Sequence, residues 1–317
     1  MLKKLAIILP CYNEEEILPH TIRKMRALIR GMIKKKKISA DSKICFVNDG
    51  SRDDTWNIIK KTCAKDKLFC AVNLSRNFGH QGAILAGMYE VCADVYVTID
   101  ADLQDNPDCI PQMLEKINSG CDIVYGVRDS RQTDSFFKRT TAVLYYRLLK
   151  FLGVNIVYNH ADFRMMTKRA VETLKQFPER NLFLRAIVPL LGFKSAQVYY
   201  DRTARQAGET KYPLKKMVAL AWNGVSNFSI VPLRLVTFLG FFVCFLSVLF
   251  LCFVIYRWSV RGTIVGWASM VTIITVFSGV QLVSLGIIGE YLAKIFVEVK
   301  KRPLFIVEDK IGFEQAC

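Results

Sequence analysis

The chain has 317 residues, with 44 Lys and Arg against 28 Asp and Glu, a formal net charge of +16 and a hydrophobic share of 52%. That length allows one large or two modest domains, and the apolar share is high for a soluble protein. The positive charge suits a nucleic acid or an anionic membrane surface, but no zinc-finger, RNP-type aromatic or basic helical-repeat motif is present, which disfavours nucleic acid.

The apolar excess gathers after residue 230. Ten cysteines stand singly, with no Cys-x-x-Cys pair, and read as reduced, mostly core thiols. Residues 5–9 form the first predicted strand, too short for the apolar region of a signal peptide. It ends at Pro10-Cys11-Tyr12-Asn13-Glu14-Glu15. An amphipathic helix follows to about residue 33, then a lysine run at 34–37 that reads as a solvated loop. Residues 44–47 are the second strand, ending at Asn48-Asp49-Gly50-Ser51. Ser51 and Asp54 match a capping box for the next helix. Residues 69–74 are the third strand, ending at Ser75-Arg76-Asn77-Phe78-Gly79, with a helix over 82–91. Residues 95–99 form a buried β-branched strand running into Asp100-Ala101-Asp102-Leu103-Gln104-Asp105, and 122–125 form a fifth strand ending at Gly126-Val127-Arg128. Strand alternating with helix predicts an α/β fold with a mostly parallel sheet.

Tyr12, Glu14, Asp49, Asn77, Asp100, Asp102 and Arg128 all fall at strand C-terminal ends, the edge where such sheets bind ligands. Asp100 and Asp102 repel each other unless a hard divalent cation lies near both, and a cation held by so few carboxylates keeps positions for substrate phosphates. Alone, Asp-x-Asp is a weak signal and reads as an exposed acidic turn. The first turn lacks the G-x-G-x-x-G of a dinucleotide site, and no Walker motif is present.

Residues 136–152 place Phe137, Leu144, Leu148 and Phe151 on one helical face, which suits either an ordinary surface helix or one lying in the membrane interface. Asp162 alone reads as a cap or surface residue. The polar loop at 201–213 carries Arg202, Arg205 and Lys211, which would meet anionic lipid heads or the phosphate of a specific lipid. A second amphipathic segment covers 213–232. Residues 235–256 and 262–289 carry no charge, and each is long enough to span a bilayer, the first at about 33 Å. A polar connector at 257–261 separates them. Basic residues before the first span and after the second place both termini in the cytoplasm. The expected spans are 233–257 and 263–290, followed by a cytosolic tail at 291–317. Two spans offer no intramembrane polar pathway, so a transporter is disfavoured.

Together these motifs resemble family 2 glycosyltransferases of the GT-A fold. The branch most similar is the polyprenyl-phosphate glycosyltransferases: dolichol-phosphate mannose synthases and bacterial undecaprenyl-phosphate glucosyltransferases of the GtrB type. The resemblance covers nearly the whole chain. It includes Ala161-Asp162-Phe163-Arg164, Gly289-Glu290-Tyr291-Leu292 and Arg205 to Tyr212, where Thr210 stands in place of the family's frequent Ser. It implies a Rossmann-like GT-A catalytic domain over residues 1–212, then amphipathic interface helices and two transmembrane helices. It implies that Pro10, Tyr12, Glu14, Asp49 and Asn77 bind the donor nucleotide. Asp100, Asp102 and Gln104 would bind Mg2+ or Mn2+ and the diphosphate. Asp162, Asp102 and Arg128 would be catalytic, while Arg139, Arg205 and Lys211 meet the acceptor phosphate. The Gln-x-x-Arg-Trp run of processive members is missing, which disfavours polymer extension.

The implied partners are a nucleotide-sugar, UDP-glucose or a related UDP-sugar, and undecaprenyl or another polyprenyl phosphate at the cytoplasmic membrane, with no nucleic acid. A homo-oligomer is expected from the GtrB resemblance and from small residues between Gly279 and Gly286. One displacement at the anomeric carbon predicts inversion. A lipid phosphate is ionised near pH 7, so Asp162 is either a base or an acceptor-positioning residue. The rivals are a glycolipid or protein hydroxyl acceptor, which needs a true base, and an inactive membrane scaffold, against which the intact acids argue.

Overall fold

Seven residues in a row without exposed surface, Leu5–Cys11, make the central strand β1. A strand apolar on both faces needs helices on both sides, and the chain supplies them. In this computed structural model the residues described are 2–128, 160–177, 179–180, 183–201, 231–261 and 266–313. They divide into two compact units, one holding the sheet and including the chain from Arg302 onward, the other holding two long helices.

In the first unit, β1 is followed by α1 (Leu18–Lys34), β2 (Lys43–Asn48), α2 (Thr55–Lys65), β3 (Phe69–Leu74), α3 (His80–Glu90) and β4 (Val95–Thr98). A short 3-10 turn leads to α4 (Ile110–Asn118) and β5 (Ile123–Arg128). Then come β6 (His160–Thr167), α5 (Lys168–Lys175), α6 (Leu184–Leu190), β7 (Ser195–Tyr200) and, after the second unit, β8 (Val307–Ile311). The eight strands lie in the order β7-β5-β6-β4-β1-β2-β3-β8. β4, β1, β2 and β3 run parallel, as do β5 and β7, whereas β6 and β8 are antiparallel to their neighbours. α1 buries Leu18, Ile22, Met25, Ile29 and Met32 at helical spacing against this sheet. α3 approaches so closely that a Cβ on Gly87 would lie 2.3 Å from Ile8 Cγ2.

The five strands expected by residue 125 are present. β6, β7 and β8 were not foreseen: Asp162 lies inside an inner strand, β7 pairs parallel with β5, and the expected C-terminal tail returns to pair with β3. The capping box is not formed. α2 starts at Thr55, and the Ser51 hydroxyl instead accepts from the Asn13 N–H at 3.0 Å. Six cysteines are buried free thiols, but Cys92, exposed just after α3, is disulfide-bonded and departs from the reduced reading.

The second unit consists of α7 (Val231–Arg261) and α8 (Trp267–Val299). Both are long and apolar enough to cross a bilayer, with windows at Leu233–Phe250 and Val276–Val299. Phe238, Phe241 and Leu282 are exposed, as side chains meant for lipid would be. The predicted connector at 257–261 is not a break, because α7 continues to Arg261. The amphipathic segment expected at 136–152 lies outside the described residues, as does the one expected at 213–232 up to residue 230, its last two residues opening α7.

Candidate active site

Three loops at the C-terminal ends of β1, β2 and β3 are tied into one rim. Asn13 adopts φ 55°, and its side-chain oxygen accepts the Arg52 N–H at 2.9 Å. Glu14 N–H donates to Thr55 Oγ1 at 2.9 Å. Gly50 has φ 67°, and a Cβ there would stand 2.6 Å from the backbone of Arg76 and Asn77. Only glycine allows that conformation and approach together. The Asp49 carboxylate accepts the N–H groups of Phe78 at 2.7 Å and Gly79 at 3.0 Å. Burial pushes this carboxyl above its ordinary value, with the two amides and His80 opposing.

Beneath the rim is a cavity of about 380 Å3 lined by Pro10, Cys11, Tyr12, Glu14, Asp49, Asn77, Gly79, His80, Ala83, Asp100, Ala101 and Asp102. Seven of the residues expected to bind the donor or the metal (Pro10, Tyr12, Glu14, Asp49, Asn77, Asp100 and Asp102) therefore meet in one place. Leu103 takes φ 54°, which turns the chain back so that the Gln104 N–H donates to Asp102 Oδ1 at 3.1 Å. The Gln104 side chain is only 6% exposed and is not part of the cavity lining, against its expected place on the metal.

Behind Asp100 lies a chain of charged groups that the sequence reading did not foresee. His80, the first residue of α3, places Nε2 3.3 Å from Asp100 Oδ1 and 3.6 Å from Asp162 Oδ2. The Asp162 carboxylate also accepts from Arg164 Nη2 at 2.6 Å and Arg185 Nη2 at 3.2 Å. Burial opposes its ionisation, yet His80, Arg185 and Arg164 hold it well below the usual carboxylate range. Asp100 shows the opposite balance. Burial, with His80 opposing and Asp105, Asp162 and Asp102 adding, pushes it up to about 6. His80 is lowered by burial but raised overall by Asp162 and Asp100. The signal for His80 was its place directly after the motif ending at Gly79, where a helix begins at a strand end.

Arg128 is not on the cavity lining. Its Nε and Nη2 donate to Asp105 Oδ1 at 3.2 and 3.0 Å, and Tyr200 donates to the same oxygen at 2.6 Å. It thus joins β5 and β7 to the acidic loop, a bracing contact in place of the expected catalytic one. Arg139, Arg205 and Lys211 lie outside the described residues.

Among the described residues no group of three or more His, Cys, Asp or Glu side chains is arranged to hold a metal ion. Asp100 and Asp102, one residue apart, bring carboxylate oxygens to the cavity that Glu14 and Asp49 also line, and burial together with neighbouring negative charge opposes ionisation of Asp100, which a divalent cation would relieve. Two carboxylates fit Mg2+ or Mn2+ that takes its other ligands from substrate phosphates and water.

The glycosyl transferase family 2 model matches residues 6–175. The glycosyltransferase YkoT of Bacillus subtilis (strain 168) is 48% identical over 313 residues, covering 98% of this chain and 93% of that one. The bactoprenol glucosyl transferase of Shigella phage SfX is 37% identical over 312 residues, covering 97% and 99%. Among solved structures, glucosyl-3-phosphoglycerate synthase from Mycobacterium tuberculosis is similar at 16% identity and a TM-score of 0.47, over 71% of this chain and 76% of that one.

Proposed function

The chain belongs to glycosyl transferase family 2, and from that membership we propose that it moves a sugar from a nucleotide-sugar to the phosphate of undecaprenyl or another polyprenyl phosphate. The observation that carries this reading is the convergence of seven residues from four strand ends on one cavity that holds an acidic pair. The acceptor class is supported by the bactoprenol glucosyl transferase relative, which this chain matches along 99% of its length. That name also favours UDP-glucose, or a related UDP-sugar, as donor.

In this reading Tyr12, exposed at the rim, takes the base on its ring, while Pro10, Glu14, Asp49 and Asn77 shape the nucleoside pocket. Asp100 and Asp102 would hold Mg2+ or Mn2+, which offsets the negative charge building on the leaving diphosphate. Gln104 supports the pair through its backbone N–H on Asp102. The lipid phosphate oxygen attacks the anomeric carbon from the face opposite the diphosphate, so an α-linked donor gives a β-linked product. The depressed Asp162 makes a weak base. This favours an acceptor already ionised over a hydroxyl acceptor, and gives Asp162 a positioning role. Arg139, Arg205 and Lys211 remain the proposed contacts to the acceptor phosphate.

The domain reading is a catalytic domain over 1–212 joined by β8, with α7 and α8 providing the spans at 233–257 and 263–290. The return of β8 to the sheet and the flanking basic residues support a place at the cytoplasmic membrane with both termini on the catalytic side. A homo-oligomer packed through the small residues between Gly279 and Gly286 of α8 is part of this reading.

The test is transfer of label from UDP-glucose, within a panel of nucleotide-sugars, to undecaprenyl phosphate with Mn2+. Wild-type protein should form a lipid-linked sugar that chelator abolishes. Asp102→Asn should lose at least about a hundredfold in rate while its unfolding temperature stays unchanged. Full turnover by this variant with metal present would remove Asp102 from the site.

A further inference from the structure

Arg185 is held with a care that a surface arginine does not need. The residue before it, Leu184, is fixed at both backbone polar groups: its N–H donates to Gln81 Oε1 at 2.8 Å, and its carbonyl accepts from Arg164 Nη1 at 3.0 Å. Arg185 then reaches Asp162 with Nη2 at 3.2 Å and Nε at 3.4 Å. Asp162 and Arg164 are 8% and 1% exposed at the side chain, whereas Arg185 is 38% exposed. Asp162 Oδ2, which Arg185 holds, is also 3.6 Å from the His80 Nε2 that lines the cavity. Buried groups thus fix a partly exposed guanidinium one carboxylate away from the cavity wall. Two hydrogen bonds to Asp162 order the side chain, and the two on Leu184 fix the backbone beside it, an arrangement that lets a guanidinium meet an anion without further ordering.

We propose that Arg185 is a phosphate-binding residue of this site, with Asp162, Arg164 and Gln81 as the frame that aims it. Its ligand is a phosphoryl oxygen, from the donor diphosphate or from the lipid phosphate. This rests on the transferase reading of the cavity. Planar guanidinium recognition of phosphate is bidentate, so lysine replaces it only in part.

The experiment uses full-length protein in detergent, comparing wild type with Arg185→Lys and Arg185→Gln. It measures UDP affinity with Mn2+ by calorimetry, KM for undecaprenyl phosphate, and the unfolding temperature. The Gln variant should lose about ten- to a hundredfold in one of the two binding measurements, with Lys recovering part. Weaker UDP binding assigns the donor diphosphate; a raised lipid KM with unchanged UDP affinity assigns the acceptor. Unchanged binding in both, or a parallel fall of both with the unfolding temperature, overturns the proposal and leaves Arg185 a brace. Wild-type protein that neither binds UDP nor transfers sugar overturns the transferase reading, and this proposal with it.

Discussion

Asp102 and Asp162 are both carboxylates near one cavity, and their surroundings give them opposite expectations. Asp102 is partly exposed and makes one contact to its own turn, so changing it should leave stability within about 0.5 kcal/mol of wild type. Asp162 is buried against Arg164, and Asp162→Ala leaves that guanidinium uncompensated at a cost of about 3–5 kcal/mol. Denaturant unfolding of the two variants should separate them clearly. The pH dependence follows from the depressed Asp162. A carboxyl whose folded value lies below its ordinary 3.8 contributes stability above that pH and loses it as pH falls further, through the folded value. Wild-type stability should therefore drop along an acid limb below about pH 4 that is flatter in Asp162→Asn. Equal acid limbs would contradict the buried pair. At this scale the acids and Tyr12 were legible because their residue types announce chemistry. His80 and Arg185 were not, because their importance comes from which buried carboxylate they reach.

At the scale of elements, the site depends on how closely two loops and one helix approach the sheet. Gly50→Ala adds strain at φ 67° and a contact of 2.6 Å with the Arg76–Asn77 backbone, so it should cost about 1–3 kcal/mol and weaken nucleotide binding. Gly87→Ala presses on Ile8 and Val47, side chains that have some freedom to shift. It should cost stability while changing nucleotide affinity less, since Gly87 is remote from the rim. Calorimetry and thermal unfolding on both variants check that split. β1 to β5 were legible because they are largely apolar runs, whereas β7, with alternating exposure, was not. β6 was not, since His160–Thr167 carries Asp162 and Arg164 in mid-strand and such charges read as loop. Their mutual ion pair is what lets them enter the sheet. β8, Val307–Ile311, has three charged residues of five because it is an edge strand with one open side.

For the whole molecule, the two apolar helices do not follow the enzyme; they interrupt it. The sheet unit takes up the chain again at Arg302, and β8 pairs with β3 while Glu308 accepts from Asn73 at 2.8 Å. If these helices cross a membrane, as proposed, this return predicts both ends of the helical pair on one side and an even number of crossings. Cysteine labelling of positions near 200 and 309 from the same side tests this; opposite accessibility would contradict it. The two long apolar helices were legible from uncharged length, but the return was not, because pairing between residues 69–74 and 307–311 leaves no local mark. Removing the helices thus calls for a splice and not a cut. A chain stopped before Val231 also loses β8. One in which residues 231–301 give way to a flexible linker should keep UDP binding and lose turnover mainly on long, water-insoluble polyprenyl phosphates. The same return sets an order during synthesis. The β3 edge beside the cavity rim stays open until β8 emerges, after both helices have left the ribosome. That edge of the sheet is therefore completed only once the two long helices have been made.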